Sequence, residues 1–349
     1  METKVITIDQ TSIDEEVLRQ AGKVIKNGGL VAFPTETVYG LGGDALNKES
    51  SRKIYEAKGR PSDNPLIIHV CSMEDLKPIV EEIPETVYRL AEAFWPGPLT
   101  IILKKSHLVP KETTGGLDTV AVRMPSHPVA QKFIQYAGGY VAAPSANVSG
   151  RPSPTKAKYV IEDMTGRIDM ILDGDGIDIG LESTIVDMTG EKPIILRPGY
   201  ITLDMLEKIL GEVDVDKTIL DLNCKEPPKA PGMRYRHYAP KGQLTIVEGQ
   251  IEKTIEKINE LTCKAHLKGE KVGIIGTEET ADRYAGDSVK SVGKREDEES
   301  IARSLYTILR EFDDEDVTVI YSESFSGCGM GQAIMNRLLK AAGHQMIYV

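Results

Sequence analysis

FPTETVYGLGGDALNKESSRKIYEAKGRPSDNPL, residues 33–66, holds more polar groups close together than a packed fold requires. The apolar run Leu30 to Phe33 reads as a strand that delivers the backbone to Pro34. There Thr35, Glu36 and Thr37 arrive together, followed by Gly40, Gly42 and Gly43. Backbone without Cβ lets a ligand approach closely, so a hydroxyl-rich turn running into glycines suits the floor of a small polar site. The same residues also suit an ordinary strand-to-turn connection. Next comes a short helix carrying Ile54 and Ala57 inward, capped by Ser50 or Ser51 and stopped at Gly59. Lys58 and Arg60 are expected at its exposed end, in a bend held by Pro61 and Pro65. Cations near a helix C-terminus are favourable in themselves, so a capped, solvated helix end is the plain alternative.

Composition narrows the class. The 349 residues suggest two or three domains, and 40% hydrophobic with 27% charged residues is ordinary for a soluble globular protein. No apolar run reaches the ~18 residues of a membrane span, and the polar start METKVITIDQ has no signal-peptide core, so the expected location is cytoplasmic. Cys71, Cys224, Cys263 and Cys328 lie far apart, which argues against disulfides and a cysteine-rich metal site. A net charge of −11 argues against a broad nucleic-acid-binding face, so weak or no direct nucleic-acid binding is expected. Against that background Lys58, Arg60, Arg123 and Arg197 are informative cations.

The remaining elements follow from periodicity. Ser12-x-x-Glu15 reads as a capping box ahead of a helix that ends at Gly28-Gly29. Leu66 to Val70 alternates, putting His69 on the face of Ile67 and Leu66, Ile68 and Val70 on the other. Thr119 to Met124 does the same, with Thr119, Ala121 and Arg123 opposite Val120, Val122 and Met124. An arginine at a strand end can fork onto a carboxylate or phosphate, or simply face solvent at an edge. Tyr140 to Ala143 is a strand of small residues that leads into Pro144-Ser-Ala-Asn-Val-Ser-Gly150, a turn rich in hydroxyls. Glu182 to Asp187 and Ile194 to Arg197 read as a hairpin, and Leu203 to Leu210 as a closing helix.

Proline-rich residues 214–243 read as a linker between domains spanning 1–213 and 244–349. From Leu244 a strand–helix rhythm gives three strands, Leu244–Val247, Val272–Ile275 and Val317–Tyr321, each followed by a helix. This is a smaller, Rossmann-like, three-layer α/β domain. Gly327-Cys-Gly-Met-Gly331 is not a dinucleotide fingerprint, because Gln332 stands where the last glycine belongs and the element comes last. No GxxxxGK[ST], HExxH or GxSxG sequence is present.

PTETVYGLG, KxRPxxxPL at residues 58–66, PSANxSG at 144–150 and ESTIVD at 182–187, in that order, resemble the YrdC family of threonylcarbamoyl-AMP synthases. APGMRYRHYAP at 230–240, with the domain behind it, resembles the family's long two-domain form. The resemblance implies a twisted open sheet with flanking helices for the first domain. It implies condensation of L-threonine, bicarbonate and ATP to L-threonylcarbamoyl-AMP and pyrophosphate, with Mg²⁺ accompanying ATP. The product would pass to a downstream tRNA threonylcarbamoyl transferase. By the same resemblance Lys58 and Arg60 are catalytic, and they bind ATP together with Asn64, Thr119, Ser145, Asn147, Ser153, Arg197 and His237. Thr35, Thr37, His69, Arg123, Ala143 and Ser183 would bind threonine, and Met233 to Tyr238 would close as a lid. No protein ligand set for a metal and no general base are legible. A non-catalytic module gripping RNA or a nucleotide through the same basic pocket is the alternative.

Overall fold

The computed structural model describes residues 2–174, 177–220 and 237–349, with side chains at 218 and 220 excepted. Two compact units result: one takes residues 1–149, 153–178 and 182–234, the other 150–152, 179–181 and 235–349. The short excursions at 150–152 and 179–181 are not visible in a reading that divides the chain into continuous pieces.

The first unit is built on an eleven-stranded mixed sheet. Its spatial order is Lys4–Ile8, Met170–Gly174, Val31–Phe33, Gly40–Asp44, Val141–Ala143, Ile67–His69, Thr119–Arg123, Leu99–Lys104, Thr184–Asp187, Ile194–Arg197 and Asp214–Val215. The expected alternation holds at the centre. Leu66, Ile68, Val70, Val120, Val122 and Met124 enter the main core. Ile67 and Ala121 join Ile102, Ile185 and Leu196 on the opposite face. Further along, helices Glu15–Lys26 and Pro128–Ala137 pack with Val31, Phe33, Val141 and Ala143. Between those two apolar clusters the sheet carries His69, Arg123 and Thr100 in adjacent register: His69 pairs with Arg123, and Arg123 with Thr100.

Several local expectations are corrected. The helix starting at Glu15 is capped by Asp14, whose carboxylate accepts from the Glu16 amide, and not by Ser12. Asn47 caps helix Lys48–Lys58, which leaves Ser50 and Ser51 buried inside it; Ser51 hydrogen-bonds Thr113 at 2.8 Å. An Asx cap one turn earlier lets the polar face of the helix turn inward at Ser51. Gly59 does end that helix in the left-handed region, at φ 61°. The stretch read as linker begins inside the sheet, since Asp214–Val215 pairs in parallel with Ile194–Ile195 and Lys217–Leu220 is helical. Most of the expected lid, Met233 to Arg236, lies outside the described residues.

The second unit holds a five-stranded, all-parallel sheet ordered Ser288–Ser291, Val272–Gly276, Val319–Glu323, Gln243–Glu248 and Met346–Tyr348. Helices Ile251–His266, Glu298–Asp314 and Gly329–Ala341 connect its strands. Ser288–Ser291 and Met346–Tyr348 escape the sequence reading because the first has a single apolar residue, Val289, and the second has only three residues. Tyr238, buried, packs its ring 5.2 Å from that of Tyr306 within this unit.

Candidate active site

The site grows from the polar row on the first sheet. Arg123 ends its strand with its side chain buried, and its guanidinium is held from three sides. Nε donates to the Gly97 carbonyl at 3.3 Å, Nη1 to the Thr37 hydroxyl at 2.9 Å, and Nη2 to Glu36 Oε1 at 2.6 Å. Thr35 organises the turn from beneath: its Oγ1 meets Thr37 Oγ1 at 2.9 Å and donates to the Val38 carbonyl at 2.7 Å. So the threonine-rich turn and the strand arginine, far apart in sequence, form one cluster.

His69 sits beside Arg123 and is buried as well. Burial first, and the Arg123 charge second, push its imidazole down to about 3, so it is neutral at physiological pH. Its Nδ1 lies 3.1 Å from the Ile67 carbonyl and its ring stands edge-on to Phe33. On the other side of Arg123, Thr100 meets Ser183 at 2.7 Å, hydroxyl to hydroxyl. Arg197 donates from Nε to the Ser183 carbonyl at 3.0 Å and from Nη2 to its hydroxyl at 3.2 Å. Ser183 and Arg197, expected on different substrates, are thereby in direct contact. Ala143 ends the strand antiparallel to Ile67–His69 and opens the Pro144–Gly150 turn.

That turn is where Lys58 goes. It is not at an exposed helix end: it is 1% exposed, and its Nζ donates to the carbonyls of Ser145 and Asn147, each at 2.5 Å. The Ser149 amide returns a bond to the Lys58 carbonyl at 2.9 Å. Arg60 too is buried, at 9% exposed, with Nη2 3.2 Å from the Pro65 carbonyl and 3.4 Å from that of Asn64. The exposed helix end expected from sequence does not form: the turn that starts at Pro144 supplies carbonyl acceptors to Lys58, and those of Asn64 and Pro65 meet Arg60. Asn64 is buried, with Oδ1 lacking a donor among the described residues.

Ser153 donates to Glu182 Oε1 at 2.6 Å. Thr119 stays apart: it pairs with Lys104 at the far end of its strand, roughly 13 Å along from Arg123. His237 belongs to the second unit, its ring 5.5 Å from that of Tyr238. Three participants were not singled out from sequence. Glu36 was visible as a carboxylate between two threonines, Glu182 as part of its motif, and Thr100 only as a lone hydroxyl inside the apolar strand LTIILK.

Among the described residues no group of three His, Cys, Asp or Glu side chains is arranged to hold a metal ion. The cluster's cations and hydroxyls, with the Arg123 guanidinium at its centre, suit small anions.

Comparison with known proteins bears on this geometry. A family model described as "Telomere recombination" matches residues 23–199, and one described as "Threonylcarbamoyl-AMP synthase, C-terminal domain" matches residues 201–343. The chain belongs to the Sua5–YciO–YrdC family. Relatives within this family span the whole chain. A protein of Pyrococcus abyssi named threonylcarbamoyl-AMP synthase is 49% identical over 337 residues, covering 97% of each chain. One of the same name from Bacillus subtilis is 47% identical over 341 residues, covering 97% of this chain and 96% of its own. The crystal structure of P. abyssi Sua5 complexed with L-threonine superposes with a TM-score of 0.94 at 47% identity, covering 99% of this chain and 100% of that one. The two-domain form of the Sua5–YciO–YrdC family is therefore also the form of this chain.

Proposed function

We propose that this chain is a threonylcarbamoyl-AMP synthase, which condenses L-threonine, bicarbonate and ATP to L-threonylcarbamoyl-AMP and pyrophosphate. The observation that carries the reading is full-length similarity to two proteins of that name, from an archaeon and a bacterium. The geometry supports it with a buried Arg123 that faces the Thr35–Thr37 turn and keeps donors to spare among the described residues: an arginine has five N–H groups, and three bonds are made there.

In this reading the threonine amine adds to the carbon of bicarbonate, and the resulting carbamate oxygen attacks the α-phosphorus as pyrophosphate leaves, a nucleotidyl transfer. The protein's work is positioning and charge compensation. Arg123 forks the threonine carboxylate, while Thr35, Thr37, neutral His69, Ser183 and the Ala143 backbone hold the rest of the amino acid. Arg60, Asn64, Ser145, Asn147, Ser153 and Arg197 take the nucleotide, and alanine substitution at Thr119 and at His237 checks the nucleotide contacts that the family resemblance implies for them. Lys58 fixes the Ser145–Asn147 turn through its carbonyls, so its contribution to catalysis includes holding the nucleotide's binding surface in shape. Mg²⁺ arrives as part of the substrate Mg–ATP, since the described side chains offer no carboxylate cluster of their own for it.

Catalysis is assigned to the first domain, 1–213 as read from sequence and extended by the paired strand Asp214–Val215, and a supporting role to that at 244–349. The product goes to a cytoplasmic tRNA-modifying transferase. Purified protein should release pyrophosphate from ATP only when threonine and bicarbonate are both present. Release that ignores either one refutes the assignment.

A further inference from the structure

Glu36 has no part in the assignment above. It is 5% exposed, one oxygen is committed to Arg123 at 2.6 Å, and the other, Oε2, is buried with no hydrogen-bond partner among the described residues. Buried carboxylate oxygens almost always have donors, and a lone one calls for an explanation. Donors stand close by but are turned elsewhere. The Thr35 hydroxyl donates to the Val38 carbonyl, and the Thr37 hydroxyl accepts from Arg123. The chain thus presents, side by side in a water-poor recess, a guanidinium with unused N–H groups and a carboxylate oxygen with unused lone pairs. That arrangement complements a zwitterion with an anion and a cation on the same carbon, which is what an α-amino acid is.

We propose that Glu36 Oε2 receives the ammonium of the substrate amino acid and acts as the general base that makes its nitrogen nucleophilic; this rests on the reading of the chain as a threonylcarbamoyl-AMP synthase. The step balances. One N–H bond of the ammonium breaks, its electron pair stays on nitrogen, and the proton passes to Oε2, giving a neutral amine and a protonated Glu36. The amine then forms the N–C bond with bicarbonate and water is lost, leaving a carbamate with its single negative charge. Arg123 stays on Oε1 throughout and keeps the carboxyl group in place. It is the one charged group in contact with Glu36 among the described residues. His69, beside Arg123, is held neutral and does not compete for the proton.

The test is Glu36→Gln, which keeps an oxygen for Arg123 and removes the base. Pyrophosphate release dependent on threonine and bicarbonate should fall by about 100-fold or more at neutral pH. It should then climb about tenfold per pH unit, as the free amine forms without help, where the unmutated chain is nearly flat. Glu36→Ala should regain activity with added formate. A Glu36→Gln protein with unchanged rate and pH profile overturns the proposal, and so does a loss that rising pH does not restore. Tighter threonine binding with an unchanged profile would make Glu36 a rival for Arg123 and overturns it as well. If neither variant folds, difference infrared spectra of the unmutated, ¹³C-glutamate-labelled chain decide: threonine and bicarbonate must produce a protonated glutamate band. No release from the unmutated chain defeats the parent reading itself, whereas normal release there with an indifferent Glu36→Gln defeats this proposal alone.

Discussion

Replacing Lys58 with methionine keeps the aliphatic stem in its buried channel and deletes only the ammonium group. Two backbone carbonyls, of Ser145 and Asn147, then lose a charged donor at 2.5 Å. A hydrogen bond to a charged group contributes about 1.5–3 kcal/mol, and the two losses are partly offset because an ammonium no longer has to be desolvated, leaving a net cost of about 2–4 kcal/mol. At about 2–4 °C per kcal/mol for a unit of this size, the first unit should melt about 4–16 °C lower. The loss should also be local. Amides of Ala146 and Ser149, bonded to the carbonyls of Tyr39 and Lys58, should exchange with solvent faster while those of Ile68 and Val122 in the central strands keep pace with global unfolding. Calorimetry and amide exchange on the full-length chain check this, with the Michaelis constant for ATP rising in parallel. A variant that melts within about 0.5 kcal/mol of the parent, the usual range for exposed positions, would refute the reasoning. Lys58 would then be a free cation for phosphate and not the post that holds up the turn.

Arg123→Lys should raise the Michaelis constant for threonine by about tenfold or more and leave that for ATP within about twofold, because a point charge cannot span Glu36, Thr37 and a carboxylate at once; equal effects on both substrates would contradict the assignment. His69 is held at about 3 when folded and returns to an ordinary imidazole value near 6.5 when unfolded. The unfolded chain therefore binds the extra proton between those values, and stability tied to His69 is complete above pH ~6.5 and lost as pH falls, by about 1.4 kcal/mol per unit. Urea unfolding at pH 7 and pH 5 should show that slope, and His69→Asn should remove it. Gly59→Ala should cost about 1–2 kcal/mol through its φ of 61° alone, since an added Cβ meets nothing within 4 Å; an unchanged urea midpoint would show that the helix end relaxes.

The elements were legible where side chains alternate between unlike environments. The strands bearing His69 and Arg123 came out with the correct faces, because one side is wholly apolar and the other interrupts its apolar residues with His69 and Arg123. The helix stop at Gly59 was legible from glycine's freedom. The burial of Lys58 was not, since it depends on a turn almost ninety residues later folding back with carbonyl acceptors, and local sequence carries no sign of that. Thr100 was hidden for a related reason: a single hydroxyl in an aliphatic strand becomes meaningful only once Ser183 is beside it. Caps misassigned to Ser12 and Ser50 or Ser51 share another cause, in that several Asx and Ser residues compete near each helix start and tertiary packing selects among them.

His69, Arg123 and Thr100 come from three strands that are neighbours in the sheet, and Ser183 immediately precedes the fourth, Thr184–Asp187; all are scattered along the chain. No local fragment contains this row, and a sheet missing any one of the four strands presents it incomplete. Recognition is accordingly all-or-none with respect to folding: a ligand that spans the row can bind only the finished sheet. Its occupancy then acts as a brake on unfolding, worth about 2.7 kcal/mol when the ligand stands at a hundred times its dissociation constant. A cell rich in that ligand would keep more of this protein intact than its bare stability allows, and starvation for it would expose the chain to proteolysis before any change in its synthesis.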